Sequence, residues 1–105
     1  MSEIDYVSQT LTKAISALAS HPGRIAERMK SAHAEWHPIT MDKLPGELRD
    51  DWQYIVDRLT VVEDDIEGLV PVTIDSLSET DLSEIAVHIM SFVDRVKYYE
   101  FYGSG

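Results

Sequence analysis

A chain of 105 residues, 44% of them apolar and 27% charged, has the length of one domain and the balance of a globular protein, which excludes a disordered chain and a two-domain arrangement. Its formal net charge of -10 repels phosphates and argues against direct nucleic-acid binding. With no cysteine there is no disulfide framework and no thiolate ligand, so any metal would depend on histidines and carboxylates.

The opening stretch MSEIDYVSQTLT is acidic where a signal peptide needs a basic start, and nowhere do about 18 apolar residues run together. The expectation is a cytoplasmic protein with no membrane span. Ile4, Val7, Leu11, Ile15 and Leu18 recur at three- and four-residue steps, which predicts a first helix from about Glu3 to Ala19 with one buried stripe. In SHPGR, Ser20 is the expected cap of a second helix and Pro22 sits in its first turn, where a missing N–H costs nothing. The second stripe is Ile25, Met29, Ala32 and Trp36. His37-Pro38 ends it, because the residue before proline is pushed out of the helical region.

Pro45 predicts the start of a third helix, with Leu48, Trp52, Ile55 or Val56, and Leu59 inward and Leu44 setting the angle of approach. The following VVEDDIEGLVPVTIDSL interrupts the period with a charge run, Gly68 and Pro71. It reads as an extended connector laying Val61, Val62, Leu69, Val72 and Ile74 against the core, with a short hairpin between its two Val-rich pieces as the alternative. The last helix has the clearest start: Ser78 as cap, Glu79 and Asp81 in the first turn, and Leu77 placed to staple against Leu82. Its stripe is Leu82, Ile85, Ala86, Ile89, Phe92, Val93 and Val96. The expected fold is therefore all-α, a four-helix domain over residues 1–105 with an extended acidic connector before the last helix.

Charge is unevenly spread. Residues 1–41 and 85–105 each balance to zero, while residues 42–84 hold thirteen acids against Lys43, Arg49 and Arg58 and so carry the entire -10. Within that segment Asp50, Asp51, Glu63, Asp64, Asp65 and Glu67 form the expected partner-binding surface, suited to a protein with a basic face. A second surface is the ending YYEFY, where Tyr98, Tyr99, Phe101 and Tyr102 cannot all point to one side of a helix. Exposed rings favour protein contacts, including assembly of a homodimer, unless they cover the open end of the bundle.

Chemistry is harder to find. His33 and His37 are one helical turn apart with Glu35 between them, but H-A-E-W-H has the glutamate in the wrong place for the H-E-x-x-H zinc motif. A third ligand would have to come from His21, His88 or a carboxylate. Histidines at a helix C-terminus also serve simply by facing its unpaired carbonyls. Arg24 and Arg28, beside a helix start, point either to an anion or to pairing with Glu47, Asp50 or Asp51 of helix three. No G-x-S-x-G elbow or G-x-x-x-x-G-K loop is present, and the adjacent acids Asp50-Asp51 and Asp64-Asp65 form no defined dyad. The reading is non-enzymatic, with no metal and no cofactor.

The segments LASHPGRIAERM, DKLPGELRDDWQYIVDRLT and EGLVPVTIDSLSETDLSEIAVHI resemble a family of short, uncharacterised bacterial proteins with an L-A-x-x-P-G-R-I and an L-P-x-E-L-R helix start. The resemblance implies bacterial origin and a helical fold, and carries no activity or site residue. The function expected is an acidic interaction module, in its sharper form an inhibitor or accessory factor of phage and host conflict that masks a nucleic-acid-binding surface of its partner. The alternatives are a metal-dependent factor built on His33, Glu35 and His37, and a structural homo-oligomer joined through the C-terminal aromatics.

Overall fold

In a computed structural model of the chain, residues 3–20, 22–60 and 69–102 are described. They form helices α1 (Glu3–Ser20), α2 (Ile25–Trp36), α3 (Gly46–Arg58), α4 (Leu69–Ser76) and α5 (Glu79–Tyr102), with a single 3-10 turn at Met41–Lys43 before α3. No strand occurs among the described residues. No helix among them is long and apolar enough to cross a membrane. The all-α class agrees with the periodicity of the sequence, but the described residues form five α-helices rather than the four expected.

The stripes face inward nearly as their spacing requires. Val7, Leu11 and Leu18 of α1 are buried, as are Met29, Ala32 and Trp36 of α2 and Leu48, Trp52, Ile55 and Leu59 along α3. Ile4, Ile15, Ile25 and Val56 pack at the margin of this core, while Ala14 and Ser8 are buried with α1's stripe. All seven expected residues of α5, from Leu82 to Val96, are buried. Each large side chain removed from water in this way contributes about 1.5–3 kcal/mol. At the centre Trp52 lies between Trp36 and Phe92, with ring centres 5.9 and 5.1 Å away.

The helix ends show which local signals hold. Ser78 Oγ accepts the Asp81 backbone N–H at 3.1 Å, the N-cap bond read from the sequence. His37 N–H closes onto the His33 carbonyl at 2.9 Å and Pro38 ends α2 there. Ser20 does not cap α2. It is the last residue of α1, and its hydroxyl turns back to the Ser16 carbonyl. Pro22 likewise precedes α2 rather than lying in its first turn. The displacement follows from Gly23, whose φ of +120° makes the reversal that non-glycine residues avoid, so that α2 starts after Arg24. Pro45 occupies the cap position of α3, one residue outside the helix.

The connector is where the expectation fails. Leu69–Ser76 is helical, not extended, and it rules out a hairpin there; Val61 and Val62 lie outside the described residues. Pro71 is the third residue of α4, within the first turn, where a backbone N–H has no partner inside the helix to lose. Val70, Val72, Thr73 and Ile74 are poor helix formers, and packing overrides them. Ile74 is fully buried, and Asp75 pairs with Lys30 of α2 at 2.6 Å. Ile74 joins the core as expected, and the side chains of Leu69 and Val72 lie outside those described.

Candidate partner-docking face

Helix α3 presents Glu47, Asp50, Tyr54 and Asp57 at three- and four-residue steps on its exposed side, with Asp51 at the edge between them and the buried Leu48, Trp52 and Ile55. Glu47, Asp50 and Asp57 are exposed. Asp57 accepts a hydrogen bond from Gln53 Nε2 at 2.7 Å. Asp51 is half-buried and pairs with Arg95 of α5, making it the one acid of α3 with a cationic partner among the described residues. Tyr54, 44% exposed, accepts a hydrogen bond on its hydroxyl from Arg58 Nη1 at 3.0 Å, and the Arg58 guanidinium stands 5.9 Å from its ring centre.

α5 supplies the other bank. It packs antiparallel to α3, so that His88 meets Tyr54 edge to face at 4.9 Å, Arg95 reaches Asp51, and Tyr98 comes level with Glu47. Between the helices runs a groove of about 290 Å³ floored by Ile55 and Phe92, with Tyr54, His88 and Ser91 on its walls. A second hollow of about 220 Å³ continues it beyond Arg95, between Glu47, Tyr98 and Tyr99. Such a surface offers carboxylates to a cation and ring faces to an aliphatic or cationic side chain.

The two sets of expected partner residues are thus only partly brought together. Asp51 is brought close to Tyr98 and Tyr99, since it pairs with Arg95 and the two tyrosines line the hollow beyond that arginine; Asp50 is exposed on α3. Tyr99 is half-buried against the core and covers the bundle end, whereas Tyr98, Phe101 and Tyr102 are 66%, 82% and 63% exposed. Tyr98 and Tyr102 stack at 4.5 Å, and Phe101 meets Tyr102 at 5.0 Å. Glu63, Asp64, Asp65 and Glu67 lie outside the described residues. Tyr54, His88 and Arg95 were not singled out from the sequence as part of this face; their signal was a polar or aromatic residue beside each buried stripe, which gains meaning only once α3 and α5 are known to be neighbours.

The other candidates resolve differently. His33 and His37 stand 6.2 Å apart, ring centre to ring centre, and His33 also lies against Trp36 at 5.5 Å. Burial, and then the neighbouring His37, hold the His33 imidazole below the usual histidine range. Among the described residues no group of three His, Cys, Asp or Glu side chains is placed to hold a metal. Arg24 and Arg28 do not pair with α3. Arg28 Nη1 donates to the Leu18 carbonyl at 3.3 Å, one of the carbonyls that the end of α1 leaves without a helical partner, and Arg24 is exposed. Proximity to the C-terminal end of α1 explains why this arginine bonds there rather than to the acids of α3.

No family model, no curated protein and no solved structure matches the chain.

Proposed function

We propose that this protein is a non-enzymatic interaction module that binds a basic segment of another protein on the α3–α5 face. The observation that carries the reading is the state of the acids on α3: Glu47, Asp50 and Asp57 are exposed without a cationic partner among the described residues, on the helix whose Asp51, Tyr54 and Ile55 line a groove walled on its other side by His88. Unpaired surface carboxylates draw a cationic partner in over about 10 Å at 0.1 M salt. The groove adds the short-range contacts that distinguish one basic sequence from another. In its finer form the partner's basic surface is one that otherwise binds nucleic acid, with spaced carboxylates standing in for phosphates.

The test is selection of binding peptides from a displayed random library by the native chain and by an E47Q/D50N/D57N variant, which keeps shape and removes charge. The native chain is expected to enrich sequences combining Lys or Arg with an apolar or aromatic residue, with affinities that fall as salt rises. The variant should lose them while its helical signal is unchanged. Equal enrichment and equal salt dependence for both proteins would reduce the acids to a solvated face and overturn the proposal. Competition of the selected peptides by duplex DNA examines the finer form.

A further inference from the structure

The outward side of α5 is apolar where a solvent-facing helix side is ordinarily charged. Val87, Met90, Tyr98, Phe101 and Tyr102 are 62%, 52%, 66%, 82% and 63% exposed along a helix of 24 residues. At 1.5 Å per residue that helix is about 36 Å long, close to the 40 Å long axis of the molecule. Two of the charged residues in this half of α5 are turned to neighbouring helices: Arg95 pairs with Asp51 of α3, and Glu100 accepts a hydrogen bond from Ser8 of α1 at 3.0 Å. Asp94 and Lys97 remain exposed beside the apolar residues, Lys97 with its ammonium 3.0 Å from Thr12 Oγ1.

Met90, Asp94, Lys97 and Phe101 follow one another at steps of four, three and four, the seam spacing of paired helices. Read backwards, the same stripe runs aromatic, base, acid, apolar. If two copies of α5 lie antiparallel about a two-fold axis between Arg95 and Val96, Asp94 of each falls opposite Lys97 of the other. Met90 of each then falls opposite Phe101 of the other, with Tyr102 beside it. Every acid meets a base and every apolar residue meets another, twice over, as a two-fold interface demands. The stripe is its own complement, a property that neither a basic nor an acidic foreign surface would match, since each would set a like charge against Lys97 or Asp94.

We infer that the outward side of α5 is a homodimer interface formed by antiparallel α5–α5 packing in this register. Net charge favours the same location. Two copies of a chain at -10 repel one another most through residues 42–84, whereas residues 85–105, like residues 1–41, are balanced. Arg95 and His88 mark the flank of α5 that faces α3. The seam lies on the other flank, so the acidic face of each copy stays uncovered and the dimer carries two of them.

The experiment is sedimentation equilibrium of the full chain across a range of concentrations, with D94K, K97D and the D94K/K97D exchange, folding being followed by far-ultraviolet circular dichroism. The native chain is expected to show a monomer–dimer equilibrium. Either single reversal places like charges opposite each other on both sides of the two-fold axis, at the middle of the seam, and should weaken dimerisation about tenfold or more; the exchange should restore it. A chain that stays monomeric at millimolar concentration overturns the inference. So does a dimer indifferent to both single reversals, or one that the exchange fails to rescue. None of these outcomes bears on peptide binding at α3.

Discussion

Trp36 of α2 and Trp52 of α3 meet edge to face, ring centres 5.9 Å apart and planes 83° apart, and Trp52 in turn lies against Phe92 of α5. Helices α2 and α3, consecutive in the chain, and α5, separated from both by α4, are thereby joined through aromatic rings.

Truncating either tryptophan should therefore loosen more than its own helix. W36A and W52A are each expected to cost about 3–5 kcal/mol of unfolding free energy, a large share of the 5–15 kcal/mol typical of a single domain. Urea denaturation checks the magnitude. The native fluorescence should also resist acrylamide, since the two side chains are 4% and 2% exposed; quenching as efficient as for free tryptophan would contradict the packing.

The turn between α1 and α2 gives a backbone test. At Gly23, φ is +120° and a Cβ would stand 2.2 Å from Glu27 Oε2. The carboxylate end of Glu27 can swing away, so the lasting cost of G23A is the backbone conformation itself, about 1–2 kcal/mol. Adding E27A to G23A should recover little of it. Full recovery in the double variant would place the cost in the side-chain clash instead.

His33 predicts a pH dependence. Its folded pKa lies below the ordinary 6.5, first through burial and second through His37. Between the folded value and 6.5 the unfolded chain binds more protons, so this group makes stability rise with pH. The native chain is expected to lose stability as pH falls below about 6.5, and H33Q should lose less over the same interval. H37Q, which removes only the secondary cause, should retain most of the effect. Unfolding midpoints at a series of pH values decide it, and a chelator is expected to leave the midpoints of the native chain and of H33Q/H37Q unchanged.

Side-chain periodicity on one helix determined much about this protein before any tertiary structure was known. The inward stripes of α2, α3 and α5, the Ser78 cap and the stop at Pro38 are local matters: spacing of apolar residues, one hydroxyl near one N–H, one ring that excludes a backbone conformation. What only the tertiary structure decided depends on which surfaces touch. The helical state of Leu69–Ser76 runs against its β-branched residues and is set by the burial of Ile74, to which the exposed pair of Asp75 and Lys30 adds little. Arg28 is held at the end of α1 because that end lies beside it, and its spacing in the sequence is equally compatible with a bond to α3. The grouping of Asp51, Tyr54, His88 and Arg95 depends on α3 and α5 being antiparallel neighbours. An apolar stripe specifies that a helix packs, and the fit of side-chain volumes across the whole core selects the helix against which it packs.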